Sequence, residues 1–281
     1  MTALTLGLIA AACWGFHDIC VRSVSQKTPL LASLLTVLVV GLVFHLTLVV
    51  ASDSFTPLPP RAFGLSVISG LFFLLASLGL YAAFQRGPVR LVAPIIASYP
   101  ILSVGWAAMR GTEVSPLQWL AVISIIIGVS IVAALADTSD DTTPSKDLTI
   151  LYASVSGIGF AVTFALGQYA AALSDDLPVT LVTRVVALIV LLAIILAMRL
   201  PLWPGRRPLF VLSLMGIADG AALYCVFAAG GLPDAQYAAV AASTFGLLTI
   251  VMAWAFLREA MTPVQWLGCL IAFGGIGYLA L

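Results

Sequence analysis

The chain has 281 residues, of which 62% are hydrophobic and 9% charged, with a formal net charge of zero. A soluble domain carries about 25% charged residues, so this composition cannot build a water-facing surface and lipid must solvate most of it. Zero net charge removes the basic footprint of a nucleic-acid binder, and a chain without Asn has no glycosylation sequon.

In chain order the apolar stretches are 3–21, 30–51, 62–84, 91–109 and 117–136, then 148–172, 179–198, 209–230, 235–256 and 264–281. Each comes close to the roughly 20 residues that cross a hydrocarbon core of about 30 Å. Short pieces rich in Pro, Gly and charge, such as 52–54, 57–61 and 204–208, separate them as turns at the lipid boundary. Barrel strands would be about 10 residues long with alternating polarity, and these stretches are neither. In the first stretch, residues 1–12 hold no Lys or Arg, so the basic region of a secretory signal is missing. Ala10-Ala11-Ala12-Cys13 faintly resembles a lipoprotein cleavage box, but the apolar run continues to Val21, which reads as a first membrane helix.

The longest polar stretch, 137–147 (DTSDDTTPSKD), lies near the midpoint. It reads as a solvated connector between residues 1–136 and residues 148–281. The two parts resemble each other. Glu113-Val-Ser-Pro-Leu-Gln-Trp-Leu120 matches Glu259-Ala-Met-Thr-Pro-Val-Gln-Trp-Leu267 with one residue inserted, and Leu80-Tyr81-Ala-Ala-Phe84 matches Leu223-Tyr224-Cys-Val-Phe227. Ala97-Ser98 falls near Ala242-Ser243. Five spans per half is an odd number, so the second half must enter the membrane in the opposite sense. The expected fold is therefore an all-α integral membrane protein of ten transmembrane helices, arranged as two inverted five-helix repeats. Such repeats place a solute site near the midplane and give alternating access by rocking.

Trp14-Gly15 followed by Arg22, together with Arg110-Gly-Thr-Glu113 and Leu257-Arg258-Glu259, each of the latter two leading into Pro and Gln-Trp-Leu, resembles the drug/metabolite transporter superfamily in its ten-helix EamA-type branch. The match covers essentially the whole chain, although Arg here precedes Glu in the turn. The resemblance implies a cavity lined by the first, third, fourth, sixth, eighth and ninth helices, with the fifth and tenth peripheral. Within the superfamily the polar-aromatic interior resembles amino-acid exporters, including those for aromatic amino acids.

An ionisable group inside a span is costly and marks a functional candidate. The candidates are His17 and Asp18 in the first span, His45 in the second, Arg184 in the seventh and Asp219 in the eighth. Asp219 sits in Gly216-Ile-Ala-Asp219-Gly, whose small neighbours let a helix or a solute come close. Arg184 and Asp219 fall at similar depths. They read either as a structural ion pair or as a proton-exchanging acid with a partner for a solute carboxylate. Asp18 can serve coupling, or pair with Arg22 one turn on. His45 reads as a helix-packing or interfacial residue.

The expected substrate-binding set is Trp14, His17, Tyr81, Tyr99, Phe164, Gln168, Asp219, Tyr224 and Ser243. The expected coupling or ion-pair set is Asp18, Arg184 and Asp219. Tyr and Trp offer an apolar body with a polar tip, suited to a ring-bearing solute. Tyr81 and Tyr224 hold matching places and are both expected at the central axis, while Trp119 and Trp266 read as interface anchors. Pro94 and Pro100 are expected to kink the fourth span. The ninth has Gly246 instead, so the halves need not bend alike. Gly268, Gly274, Gly275 and Gly277 give the tenth span a small face for packing within or between subunits.

Cys13, Cys20, Cys225 and Cys269 lie in apolar stretches without CxxC spacing and read as small hydrophobes. No cofactor or metal site is expected, because two histidines and no HExxH offer no ligand set. Arg and Lys concentrate after odd-numbered spans, which by the positive-inside rule places those loops in the cytoplasm and both termini outside, whereas the family resemblance implies cytoplasmic termini. No phosphate-binding loop is present. The expected function is export of small metabolites, amino acids first, across the inner membrane by a secondary transporter. A broader drug or metabolite efflux carrier and an intramembrane lipid-modifying enzyme are the alternatives. The expected partners are a small-molecule solute and the lipid bilayer, with a homodimer through the fifth and tenth helices as one assembly.

Overall fold

The computed structural model describes residues 1–52, 56–102, 105, 114–135, 146–233 and 235–279. Most of the linker expected at 137–147, and the Arg110–Glu113 motif, lie outside the described residues. The first half contains α1 (Ala3–Ser25), α2 (Leu30–Ser52), α3 (Pro60–Arg86), α4 (Val89–Ala97) and α5 (Pro116–Ala134). The second contains α6 (Lys146–Leu173), α7 (Asp176–Ala197), α8 (Leu209–Ala228), α9 (Gln236–Ala242), α10 (Phe245–Met252) and α11 (Pro263–Leu279). α9 and α10 are two pieces of the ninth span. Among the described residues seven helices are long and apolar enough to cross a membrane, and Val89–Leu102, Pro116–Val132 and Pro263–Leu279 are shorter apolar helices. Large apolar side chains such as Phe210, Phe256 and Val50 stand outward. That arrangement is stable in lipid, where no hydrophobic penalty attaches to them.

The packing obeys an exchange rule. Swap the first span with the sixth, the second with the seventh and so on, and the contacts map onto one another. α3 against α6 becomes α8 against α1, and α3 against α7 becomes α8 against α2. α4 against α6 becomes the ninth span against α1, while α2·α7, α4·α10 and α5·α11 map onto themselves. Self-mapping contacts are what a two-fold axis produces at an interface of like with like. The fifth and tenth spans pair at the periphery. A Cβ on Gly128 would stand 2.4 Å from the Gly268 carbonyl oxygen, so the two helices meet backbone to backbone there. Gly268 and Gly275 are thus used inside the subunit, whereas Gly274 and Gly277 face open space.

Both the fourth and ninth spans break, and at matching places. α4 stops at Ala97 and helix resumes at Pro100; α9 stops at Ala242 and α10 begins at Phe245. The prolines, Pro94 and Pro100, stand on one side only and left the halves free to bend differently, yet the breaks fall at equivalent positions. A proline is not needed for the break: the Ser98 hydroxyl donates to the Ile95 carbonyl at 2.7 Å and the Ser243 hydroxyl to the Val240 carbonyl at 2.6 Å. Each serine satisfies a carbonyl one turn back and supports a tight turn, as short polar side chains do when they bend helices. The two breaks cross with α10 against α4, where a Cβ on Gly246 would lie 2.6 Å from the Ala97 methyl.

Candidate functional site

Trp14, His17 and Asp18 stand at i, i+3 and i+4 of α1, one face of the helix, and all three are buried. α3 places Tyr81 against that face, α7 contributes Arg184 and α8 contributes Asp219. The Trp14 indole Nε1 donates to Asp219 Oδ1 at 3.1 Å, and Arg184 Nη1 donates to Asp219 Oδ2 at 2.5 Å. Both carboxylate oxygens of Asp219 are therefore occupied, and the ion pair is formed. The Arg184 guanidinium also lies over the Phe73 ring at 4.9 Å, a cation–π contact that sequence reasoning missed. Glycines make room for it. A Cβ on Gly41 would sit 3.0 Å from the guanidinium carbon, and one on Gly216 would sit 2.6 Å from Val40. The small residues around Asp219 are thus taken up by α2.

His17 Nδ1 lies 2.9 Å from Asp18 Oδ1, and the Tyr81 hydroxyl 3.4 Å from His17 Nε2. This corrects the alternative pairing of Asp18 with Arg22. Arg22 is further along α1, where its Nη1 donates to the Phe84 carbonyl at 2.8 Å and its Nε stands 3.6 Å from Glu259 Oε1. His45 packs between helices, with Nε2 2.8 Å from the Gly220 carbonyl oxygen.

Aromatic rings form one wall. Trp14 stacks on Phe164 with centroids 5.1 Å apart, Phe164 stacks on Phe160 at 5.5 Å, and Tyr99 meets Phe164 edge-on at 5.4 Å. Tyr99 sits in the break of the fourth span, and its hydroxyl donates to the Ala239 carbonyl of α9. Within this cluster lies a cavity of about 10 Å³, bounded by Trp14, His17, Ser77, Tyr81, Phe160 and Asp219 among others. That is room for about one water, so this conformation is closed around its polar centre. Trp14, His17, Tyr81, Tyr99, Phe164 and Asp219 are brought together. Tyr224, Gln168 and Ser243 are not. Tyr224 is half-buried near Asp176 rather than at the axis beside Tyr81. Gln168 donates to the Val226 and Ala235 carbonyls at 3.1 and 3.0 Å, tying helix ends together. Ser243 is spent on the helix break.

One end of the molecule carries a charged latch. The ninth span closes with a wide π turn, Ala253–Leu257, and Arg258 at φ 56°. That left-handed residue turns Glu259 toward α4, where its carboxylate accepts from the Val89 and Arg90 backbone N–H groups at 3.1 and 3.4 Å. A carboxylate at a helix N-terminus meets unsatisfied donors and the positive end of the dipole. Sequence reasoning had Glu259 only as a turn residue; its recurrence as Glu113 was the available signal. Among the described residues no three His, Cys, Asp or Glu side chains stand where they could share a metal ion.

The EamA-like transporter family profile matches residues 1–134 and again 147–281. The chain belongs to the EamA-like transporter family. This is a transporter family and not an enzyme family, and the chain is a multi-pass membrane protein. Over 129 residues the chain is 26% identical to an uncharacterized protein of Methanocaldococcus jannaschii, covering 46% of this chain and 93% of that one. A relative about one half as long is thus matched almost entirely. An uncharacterized transporter of Archaeoglobus fulgidus is 25% identical over 205 residues, 68% of this chain and 66% of its own length. A solved structure described as a crystal structure of protein superimposes with a TM-score of 0.71 at 18% identity, covering 99% of this chain and 98% of that one. That likeness extends the shared fold over the whole chain.

Proposed function

We propose that this family member is a secondary transporter exporting small metabolites, with amino acids, aromatic ones in particular, as the first class. The observation that carries this reading is one site holding both signs of charge beside a ring-lined wall. Arg184 suits a solute carboxylate, Asp219 or Asp18 suits an ammonium, and Trp14, Phe160, Phe164 and Tyr99 suit a ring. A cavity of one water's volume means that solute enters a different conformation, as rocking of the two halves would provide. Coupling falls to Asp18, Arg184 and Asp219. By the positive-inside rule the end bearing Arg22, Arg86, Arg90 and Arg258 faces the cytoplasm of the inner membrane. The proposed assembly is a homodimer through α5 and α11, whose Gly274 and Gly277 open outward; cross-linking of a Gly277→Cys variant in membranes checks it, and monomeric protein only would refute it.

The test of function is counterflow in proteoliposomes with L-phenylalanine, L-tryptophan, adenine and tetraethylammonium. Trans-stimulated uptake of the two amino acids, lowered in Tyr99→Ala, is the expected result. Uptake of tetraethylammonium or adenine alone would move the reading to a broader efflux carrier. Uptake equal to that of empty vesicles for all four would overturn it.

A further inference from the structure

Two buried acids share this core and are partnered very differently. Asp219 has a donor on each oxygen, one of them cationic. Asp18 is equally buried, yet its Oδ1 meets only His17 Nδ1 and its Oδ2 has no partner among the described residues. An ionised carboxylate offers about four acceptor positions. Leaving an ionised group bare and away from water is expensive unless it is paired or neutralised. The Arg184–Asp219 pair is neutral by itself. The remainder of the core is neutral only when His17 and Asp18 hold one proton between them, a property of the pair and not of either residue. Beside this dyad stand Asp219 of α8, Tyr81 of α3 and Cys20 of α1, while Arg184 of α7, His45 of α2 and Cys13 of α1 stand about Asp219 and Cys225 of α8 stands near Cys13. Among the described residues, no Lys or Arg forms an ion pair with Asp18; its one close partner is His17.

We propose that the His17–Asp18 dyad is the proton-binding site of the transport cycle, and that Asp18 Oδ2 is where a solute ammonium takes the proton's place. The core closes only when one positive charge, proton or ammonium, neutralises the dyad. In the open conformation the proton passes to water, and the bare carboxylate then receives the cation. Proton and ammonium are exchanged one for one at the dyad, so the Asp18 carboxylate itself is never left uncompensated. The water-sized cavity beside His17 and Tyr81 has room for one water next to the dyad. Tyr81 acts as a positioning residue, holding His17 Nε2 so that Nδ1 faces Asp18.

The exchange half of this proposal rests on the transporter reading; the proton half does not. Acid-minus-alkaline infrared difference spectra of the full chain in lipid read the proton directly. The wild type is expected to show one carboxyl or imidazolium titration that Asp18→Asn lacks and His17→Gln alters. Identical spectra for wild type and both variants would overturn the proton site. In proteoliposomes, with L-phenylalanine and phenethylamine as probes, an imposed pH gradient is expected to drive accumulation several-fold above the level at equal pH. Asp18→Asn is expected to lose that gradient-driven excess together with most of the counterflow at equal pH, while its thermal unfolding in detergent shows that it still folds. Gradient-driven accumulation that persists in Asp18→Asn would overturn the exchange. Absence of counterflow in the wild type would sink the transporter reading, while the infrared result still decides the proton site.

Discussion

The two halves share one skeleton and differ in what they hang on it. Each breaks its penultimate long segment at a serine that donates one turn back, Ser98 in one and Ser243 in the other. Each packs its third span against the first span of the other half. The polar groups do not follow that symmetry. The first half supplies His17, Asp18, Tyr81 and the bridging Tyr99, whereas the second supplies Arg184 and Asp219. The ends differ too. Where α1 and α3 finish, Arg22, the Phe84 carbonyl, Glu259 and the α4 N-terminus form a charged latch. Where α6 and α8 finish, the neutral Gln168 joins the Val226 and Ala235 carbonyls. A duplicated bundle needs symmetry for packing, since van der Waals fit holds helices together in lipid. A site needs asymmetry, because two like charges facing across the axis would repel.

The largest break in this division comes from Arg184→Ala. It leaves the Asp219 carboxylate buried with only an indole donor, a loss of about 3–5 kcal/mol for removing one partner of a buried pair. Thermal unfolding in detergent should show it, and Arg184→Met with Asp219→Leu together should recover much of it. A smaller effect belongs to the crossing of the two breaks. Gly246→Val puts a side chain against Ala97 and the Ala93 carbonyl, an overpacking cost of about 1–3 kcal/mol. The same change at Gly274, which faces open space, should leave the unfolding temperature nearly unchanged.

The shared breaks make an equality test. Ser98→Ala and Ser243→Ala each forfeit one hydrogen bond, about 0.5–1.5 kcal/mol, and matched losses of unfolding temperature are expected. A large loss from Ser243→Ala alone would show that the prolines of the fourth span carry its break without the serine. The smallest effect is expected at the latches. Glu259→Gln removes a partly exposed charge pair worth about 0.2–1 kcal/mol. Amide exchange at Val89 and Arg90 should then quicken, and in the wild type high salt should quicken it too. Salt should leave the Gln168 end unaffected.

Particular residues show how far the sequence could be read. The spans were legible because an apolar run of membrane length has few other uses. The repeat was legible because Gln-Trp-Leu and Leu-Tyr-x-x-Phe recur at nearly constant separation. Asp219 stood out because an acid in mid-span is rare, and Arg184 because a cation there is rarer. Tyr224 and Gln168 were not separable from Tyr81 and Trp14 by residue type, since side-chain direction about a helix is set by its neighbours. Ser243 was visible as a repeat partner of Ser98, but nothing local said that its hydroxyl would be spent on a bend.

Composition, the length of the apolar runs and the recurring Gln-Trp-Leu and Leu-Tyr-x-x-Phe motifs determined that this chain lives in lipid, crosses it many times and consists of two like halves threaded in opposite senses, since hydrocarbon thickness and an odd span count leave little choice. Tertiary structure decided the pairings. Arg184 reaches Asp219, Asp18 turns to His17 and away from Arg22, and Glu259 caps a helix of the other half. Those choices depend on which helices the glycines at 41, 216 and 246 allow to touch, and contact between distant segments is not written in either segment by itself.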